Sequence, residues 1–198
     1  MKPQREKLAS TKKSSAGTDS KSIIGKRVYL RAPQEEDCLE LVALNQQSVK
    51  FHRGLVSPPR TRVEFEALLN RSRRVDTEYF LICRREDSAI VGNMNLSQIF
   101  REGFKNAYLG YYVGAPFANQ GYATESIKLL LRHVFRKMKL HRIEANIQPG
   151  NIASIALVRQ AGFTQEGYSR RYLKIDGRWR DHERWALTVE DWKASKVI

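Results

Sequence analysis

"ANQGYATESIKLLL", residues 118–131, places a glycine one step ahead of a strongly amphipathic segment. Beyond Gly121 the apolar positions are Ile127, Leu130, Leu131, Val134, Phe135 and Met138. Their spacings of three and four put them on one stripe of an α-helix. Just upstream, "YLGYYVGAPF" (residues 108–117) reads as a strand running into a turn. The first N–H groups of such a helix have no internal acceptor. They lie at the positive end of the helix dipole, where phosphate binds well. Gly121, Ala123 and Thr124 are small enough for a phosphate to reach the main chain. An ordinary strand-to-helix turn would use the same residues, so the spacing by itself leaves both uses open.

Working outward, "RVYLRA" (27–32) alternates Val28 and Leu30 against charged neighbours, as a strand does, and Pro33 stops it. "EEDCLELVALNQ" (35–46) predicts a helix with Leu39, Val42 and Ala43 on one face. Thr61 and Glu64 form a capping box for a helix that carries Phe65, Leu68 and Leu69 together. "YFLICRR" (79–85) and "AIVGNMNLSQI" (89–99) predict two strands about the polar turn "REDS", and "NAYLGYYV" (106–113) a third. "RIEANI" (142–147) alternates as a further strand until "PGN" breaks it. Asn151 suits the N-cap of a helix over "IASIALVRQA" (152–161), and Gly162 suits its left-handed end. "YLKIDGRWRDHERWAL" (172–187) reads as a hairpin with a type I′ turn at Asp176-Gly177. The order is strand, two helices, three strands, helix, strand, helix, hairpin. That is an α+β chain with a mixed sheet, without the regular βαβ alternation of a doubly wound fold.

Residues 1–22 have almost no apolar content and are expected to be a disordered basic tail, ahead of a single domain over residues 23–198. No apolar run approaches the roughly 20 residues of a membrane span, and no secretory segment is evident. Cys38 and Cys83 make no metal spacing with the four histidines and are expected to be buried free thiols. These features predict a cytoplasmic protein with no metal and no membrane partner. The net charge is +14; the first 22 residues carry six Lys/Arg against two Asp/Glu, which leaves +10 on the rest. That excess calls for an anionic partner, either a phosphate-bearing cofactor or RNA.

The order of elements, with Ala118-Asn119-Gln120-Gly121-Tyr122-Ala123, resembles the GCN5-related N-acetyltransferases (GNATs), whose Gln/Arg-x-x-Gly-x-Gly/Ala motif cradles the pyrophosphate of acetyl-CoA. Gly121 and Ala123 match that motif, and Ala118 departs from it. "NIASIALVRQAGF" (151–163) is similar to the family's Asn-x-x-Ser/Ala helix ending in Gly-Phe. "HRIEANIQPGN", "GFTQEGYSRRYLKIDGRWRDH" and "ALT" resemble the ribosomal-protein-alanine N-acetyltransferases of RimJ/RimL type, with the hairpin closer to the RimJ branch. The resemblance implies a twisted, mostly antiparallel sheet with splayed strands, flanked by helices. It implies direct acetyl transfer, in a ternary complex, from acetyl-CoA to a protein N-terminal α-amine. A ribosomal protein would be the acceptor, with possible ribosome or rRNA contact through the basic surface, in a monomer or homodimer.

Carried over residue by residue, the resemblance implies cofactor contacts at Tyr112, Val113, Asn119, Gln120, Gly121, Tyr122, Ala123, Thr124 and Asn151. The main chain of Tyr112 and Val113 would face the thioester. Ser154 is implied as proton donor to the leaving thiolate, since the position of the tyrosine used by other members holds Val158. No base is evident: Leu173 and Tyr108 stand where relatives place carboxylates. Asp181 and His182 are the titratable candidates, open also to a structural hairpin bond, and Glu144 is expected to be solvated. A weak base suffices for an α-amine, whose pKa of about 7.8 makes deprotonation at pH 7 cost about 1.1 kcal/mol, against about 4.6 kcal/mol for lysine. Two other readings stay open: a small-molecule amine such as a polyamine or antibiotic as acceptor, or a basic RNA-binding module. "YSRRYLKIDGRWR" (168–180) interleaves aromatic and basic residues as the second would.

Overall fold

The computed structural model describes residues 22–195, so the expected tail lies, apart from Ser22, outside the described residues. Eight strands form a single sheet in the order β1-β2-β3-β4-β5-β6-β8-β7. They are β1 Ile23–Ile24, β2 Val28–Arg31, β3 Glu78–Arg84, β4 Ile90–Phe100, β5 Asn106–Val113, β6 Arg142–Ile147, β7 Thr164–Ile175 and β8 Arg178–Thr188. Neighbours are antiparallel except β5 and β6, which run parallel. The helices are α1 Cys38–Gln47, α2 Val49–His52, α3 Arg62–Ser72, α4 Tyr122–His133, α5 Ile152–Gln160 and α6 Val189–Ala194.

The helices split between the two faces of the sheet. On one, α4 lays Ile127, Leu130 and Leu131 against Leu30, Ile82, Met94 and Leu96, and the core continues to Val158 and Trp192. Each such side chain contributes about 1.5–3 kcal/mol on burial. The stripe of α4 therefore follows its period of three and four, and a π-helical turn over Val134–Met138 extends it. On the other face α1 and α3 bury Cys38, Leu41, Leu44, Phe65 and Leu69 against Leu81, Cys83 and Ile90. Both cysteines are free and buried, and burial pushes the Cys83 thiol up to about 11.

The buried face of α1 is not the expected one. Leu39 is 83% exposed and Ala43 is also exposed, while Cys38, Leu41, Leu44 and Asn45 face the sheet. The cause lies upstream. Asp37 is ion-paired to Arg31 on β2 and accepts from the Gln34 amide, which fixes the rotation at which the helix starts. The capping box at Thr61 and Glu64 forms as read, and Asn151 accepts from the Ser154 amide as the N-cap of α5. Gly162 takes φ 94°, and Asp176 and Gly177 take φ 47° and 77°, as a type I′ turn requires. β7 begins eight residues before the expected hairpin. Its first half is mostly exposed and bulged, so apolar alternation does not mark it.

One irregularity creates the site. β5 and β6 pair only at Asn106↔Arg142, Ala107↔Ile143 and Tyr108↔Glu144. β5 continues to Val113 and β6 to Ile147, so beyond Tyr108 the strands diverge and a gap opens in the sheet.

Candidate active site

The gap holds a cavity of about 540 Å³. Leu109 to Val113 form one wall, Ala145 to Gln148 the other, and Ser154 and Leu157 of α5 close one side. The start of α4 stands at one end, with Asn119 and Gly121 to Thr124 on the lining. Phe51, His52, Leu55 and Val56 meet Leu173, Ile175 and His182 at the other boundary. Among the described residues, none of the lining residues is an Asp, Glu, Lys or Arg.

The turn before α4 has the geometry its small residues predicted. Asn119 takes φ 58° and Gly121 φ 81°, two left-handed residues that fold the main chain back on itself. The Gly121 carbonyl accepts from Glu125, while among the described residues the amides of Gly121 to Thr124 find no protein acceptor. Gln120, placed with the cradle from sequence, is held by other groups: its carbonyl accepts from Arg27 Nη1 (2.8 Å) and its side chain donates to the Pro116 carbonyl (2.7 Å). Arg27 is a residue the sequence reading missed. Its guanidinium lies 4.5 Å from the centre of the Tyr122 ring, beside the free amides, and brings a positive charge to the turn. Glu125 fixes this end by accepting from the Arg27 and Val28 amides.

Ser154 and Asn151 both line the cavity. Ser154 Oγ lies 2.5 Å from Tyr111 Oη, a partner that no motif marked. Burial pushes the Tyr111 phenol up to about 12, so it remains protonated at neutral pH. Tyr112 and Val113 separate by ladder alternation. The Gly114 amide donates to the Val91 carbonyl, so the main chain of Tyr112 is turned to β4 and that of Val113 to the gap. Of the two expected backbone donors, the one facing the gap is therefore Val113. Tyr112 lines the cavity through a side chain whose hydroxyl accepts from Asn45.

The two titratable candidates part company. Asp181 does not line the cavity. It accepts from Tyr168 Oη and the Arg171 amide, both at 2.7 Å, and these bonds hold its carboxyl below the usual range. Adjacent strand residues face opposite ways, so His182 points into the cavity and is 2% exposed. Its Nδ1 lies 3.0 Å from the Arg180 carbonyl. A carbonyl only accepts, so Nδ1 carries the proton and Nε2 keeps its lone pair. Burial lowers the pKa of His182 and keeps the ring neutral. Glu144 is not solvated as expected: it accepts from Arg142 Nε (2.9 Å) and Asn106 Nδ2 (3.2 Å), and Arg142 also pairs with Glu166.

A further contact escaped the sequence. The tip of the β7–β8 hairpin reaches the loop after α2, where Asp176 accepts from the Gly54 amide (3.1 Å) and Ser57 Oγ (2.7 Å). Gln148 donates to the Gly54 carbonyl from the end of β6 (2.7 Å). Three loops are thus tied together at the boundary opposite α4.

Residues 27–164 match the acetyltransferase (GNAT) domain family. The chain is 31% identical over 179 residues to the probable N-acetyltransferase YjcK of Bacillus subtilis, covering 84% of this chain and 97% of that one. It is 40% identical over 114 residues to the ribosomal protein uS5-alanine N-acetyltransferase of Escherichia coli, which is 58% of this chain and 59% of that one. Among solved structures it is similar to Mycobacterium smegmatis RimJ in complex with CoA-disulfide, with TM-score 0.77, 26% identity and 83% of each chain covered. The spermidine N-acetyltransferase of Vibrio cholerae, in complex with CoA and spermine, shares the fold at TM-score 0.72 and 21% identity over 84% of this chain and 98% of that one. The splayed strands, the free amides at α4 and these likenesses agree: the chain belongs to the GNAT acetyltransferases, among which it is similar to the RimJ/RimL type.

Proposed function

We propose that the protein transfers the acetyl group of acetyl-CoA to the N-terminal α-amine of a protein, and that its acceptor is a ribosomal protein. The observation that carries this reading is the uncharged cavity lining. A polyamine keeps several ammonium groups, and binding them in a lining without carboxylates would cost their solvation with no return. An α-amine needs only one proton removed, at about 1.1 kcal/mol at pH 7. The similarity to the uS5-alanine enzyme supports a ribosomal acceptor, and the net +14 charge suits work beside rRNA.

The residues fit such a cofactor. The amides of Gly121 to Thr124, with Arg27 beside them, would hold the pyrophosphate. Acetyl-CoA bound there supplies an acyl group already activated as a thioester. The Val113 N–H would face the thioester oxygen and stabilise the charge that gathers on it. His182 Nε2, unprotonated, accepts the proton of the incoming amine directly or through a water. Tyr111 donates to Ser154 Oγ, which frees the serine hydrogen for the departing sulfur. Transfer is direct, because the residues offer a proton donor and a weak base without a cysteine on the cavity wall.

The test is mass spectrometry of ribosomal proteins incubated with the enzyme and labelled acetyl-CoA, with spermidine and free lysine as competing acceptors. Label on one or a few N-termini is expected. Label confined to spermidine or lysine side chains would refute the proposed acceptor.

A further inference from the structure

Three polar side chains are buried in a row above the end of β5. Asn45 and Ser48 are fully buried and His52 is 5% exposed. Spacings of three and four put them on one face of the run that α1 and α2 make together. Ser48 and His52 end on the main chain of Val113 to Ala115, and Asn45 on the side chain of the neighbouring Tyr112. Asn45 Nδ2 donates to Tyr112 Oη (3.3 Å) and to the Pro59 carbonyl (2.8 Å). Ser48 Oγ accepts from the Ala115 amide (2.9 Å) and donates to the Leu44 carbonyl (2.7 Å). His52 Nε2 donates to the Val113 carbonyl (2.8 Å), and its ring meets the Tyr112 ring edge-on at 5.2 Å. Gly114 permits this approach, since a Cβ there would lie 2.3 Å from Leu44 Cδ1.

The row is a costly way to pack a helix on a sheet. Asn45 Oδ1 and His52 Nδ1 are buried without a partner, and an apolar contact would leave neither orphaned. Its effect is to fix one residue from both sides. The ladder to β4 holds the carbonyl of Tyr112, and His52 holds that of Val113, so the amide between them has one direction. With its carbonyl engaged, Val113 offers the gap a donor and no free acceptor.

We propose that Asn45, Ser48 and His52 form a clamp that aims the Val113 amide at the thioester oxygen, with His52 as its principal positioning residue. The clamp rests on the acetyl-transfer reading above. It makes a substitution in a helix outside the phosphate cradle act on kcat while leaving coenzyme affinity alone. A donor moved by about an ångström costs up to about 100-fold in rate.

The test compares His52→Gln, whose amide nitrogen reaches where Nε2 sits, with His52→Asn and His52→Leu, which cannot reach or cannot donate. His52→Asn and His52→Leu should lower kcat by about 10–100-fold, and His52→Gln by less than about 3-fold. The Kd for CoA, measured by calorimetry, should stay within about 3-fold in all of them, because the α4 amides are untouched. Equal activity in the three variants, or losses matched by the CoA Kd, would overturn the clamp. If His52→Leu does not fold, the Gln and Asn variants decide by the same comparison. A second readout needs no acceptor: the Val113 amide resonance should move when acetyl-CoA is titrated into the wild type and move less in His52→Asn. A Val113 resonance indifferent to acetyl-CoA overturns the clamp outright. A wild type that binds acetyl-CoA, shifts Val113 and acetylates no amine would instead count against the acetyl-transfer reading.

Discussion

Gly121→Ala separates the two uses of the turn before α4. Space does not forbid the methyl group: the nearest atom to a Cβ there is Arg27 Nη1 at 3.6 Å. The obstacle is φ 81°, where a residue with a Cβ is strained by about 1–2 kcal/mol. That strain must appear in one of two measurements. If the turn keeps its shape without ligand, the native state carries the strain and stability falls by about 1–2 kcal/mol, or roughly 2–8 °C in Tm for a chain this long. If the turn relaxes, stability is spared and CoA must restore the strained shape when it binds. The Kd then rises by roughly 5–30-fold, at a factor of ten per 1.4 kcal/mol. Gly121 is exposed and its carbonyl makes one helical bond, so relaxation is available and most of the cost should fall on binding. Calorimetric titration of CoA, beside thermal unfolding of the free protein, divides the two. Gly121→Asn should lose less, since asparagine tolerates the left-handed region better. Should Gly121→Ala leave both Kd and Tm where they were, the left-handed turn is not what holds the amides in place, and the cradle reasoning fails.

Other expectations bear on the remaining parts of the site. Tyr111→Phe removes the hydroxyl proposed to free the Ser154 proton, so kcat should drop about 10-fold with CoA affinity intact; an unchanged kcat would exclude the pair from proton delivery. Asp176→Asn keeps a side chain suited to φ 47° but removes the charge that ties the hairpin tip to Gly54 and Ser57. The acceptor KM should rise by about 3–10-fold without a matching change in CoA Kd, and a change confined to CoA would contradict the assignment of that boundary to the acceptor. His52 and His182 titrate below the ordinary 6.5 in the folded protein because burial disfavours the charged ring. The unfolded chain therefore binds more protons as pH falls through 6.5, and their stabilisation is full above that value and lost below it. Thermal midpoints should fall between about pH 7.5 and pH 5.5, less steeply in His182→Gln; an identical slope in that variant would remove His182 from the account.

The parts legible in the sequence are those decided by local physics. The stripe of α4, the Thr61 capping box, the Asn151 N-cap, Gly162 and the Asp176-Gly177 turn each depend on residues within one or two turns of chain. The turn at Gly121 belongs with them, which is why its left-handed geometry ahead of α4 could be read. The rotation of α1 could not, because it is set by Arg31 and Asp37 through a tertiary ion pair. Nor could Tyr111, since its pairing with Ser154 spans 43 residues and needs the strands to part before it exists. Asn45, Ser48 and His52 did leave a trace, polar residues at helical spacing at the end of the expected helix and beyond it. That trace looks like a solvated face until β5 is known to lie beneath it.

Under the proposed function, the arrangement would let one cavity hold a polyanionic coenzyme and yet present no charge to its acceptor. On the proposed reading, the coenzyme's charge would be met by main-chain amides at Gly121 to Thr124 and by Arg27 outside the lining, so cations would not be needed within. If the acceptor enters at the boundary built from Phe51, Leu55, Val56, Leu173 and Ile175, these apolar side chains would shed water from the amine and favour its neutral form. As the proposed base, neutral His182 would need to supply only a weak proton affinity, and a strong carboxylate base would be redundant for an α-amine. The same logic predicts the price of changing the acceptor. Placing a carboxylate at Leu173, as Leu173→Glu, should admit a cationic acceptor such as spermidine and weaken acetylation of an uncharged N-terminal peptide. Improvement of both acceptors together would show that the uncharged lining does not select the amine.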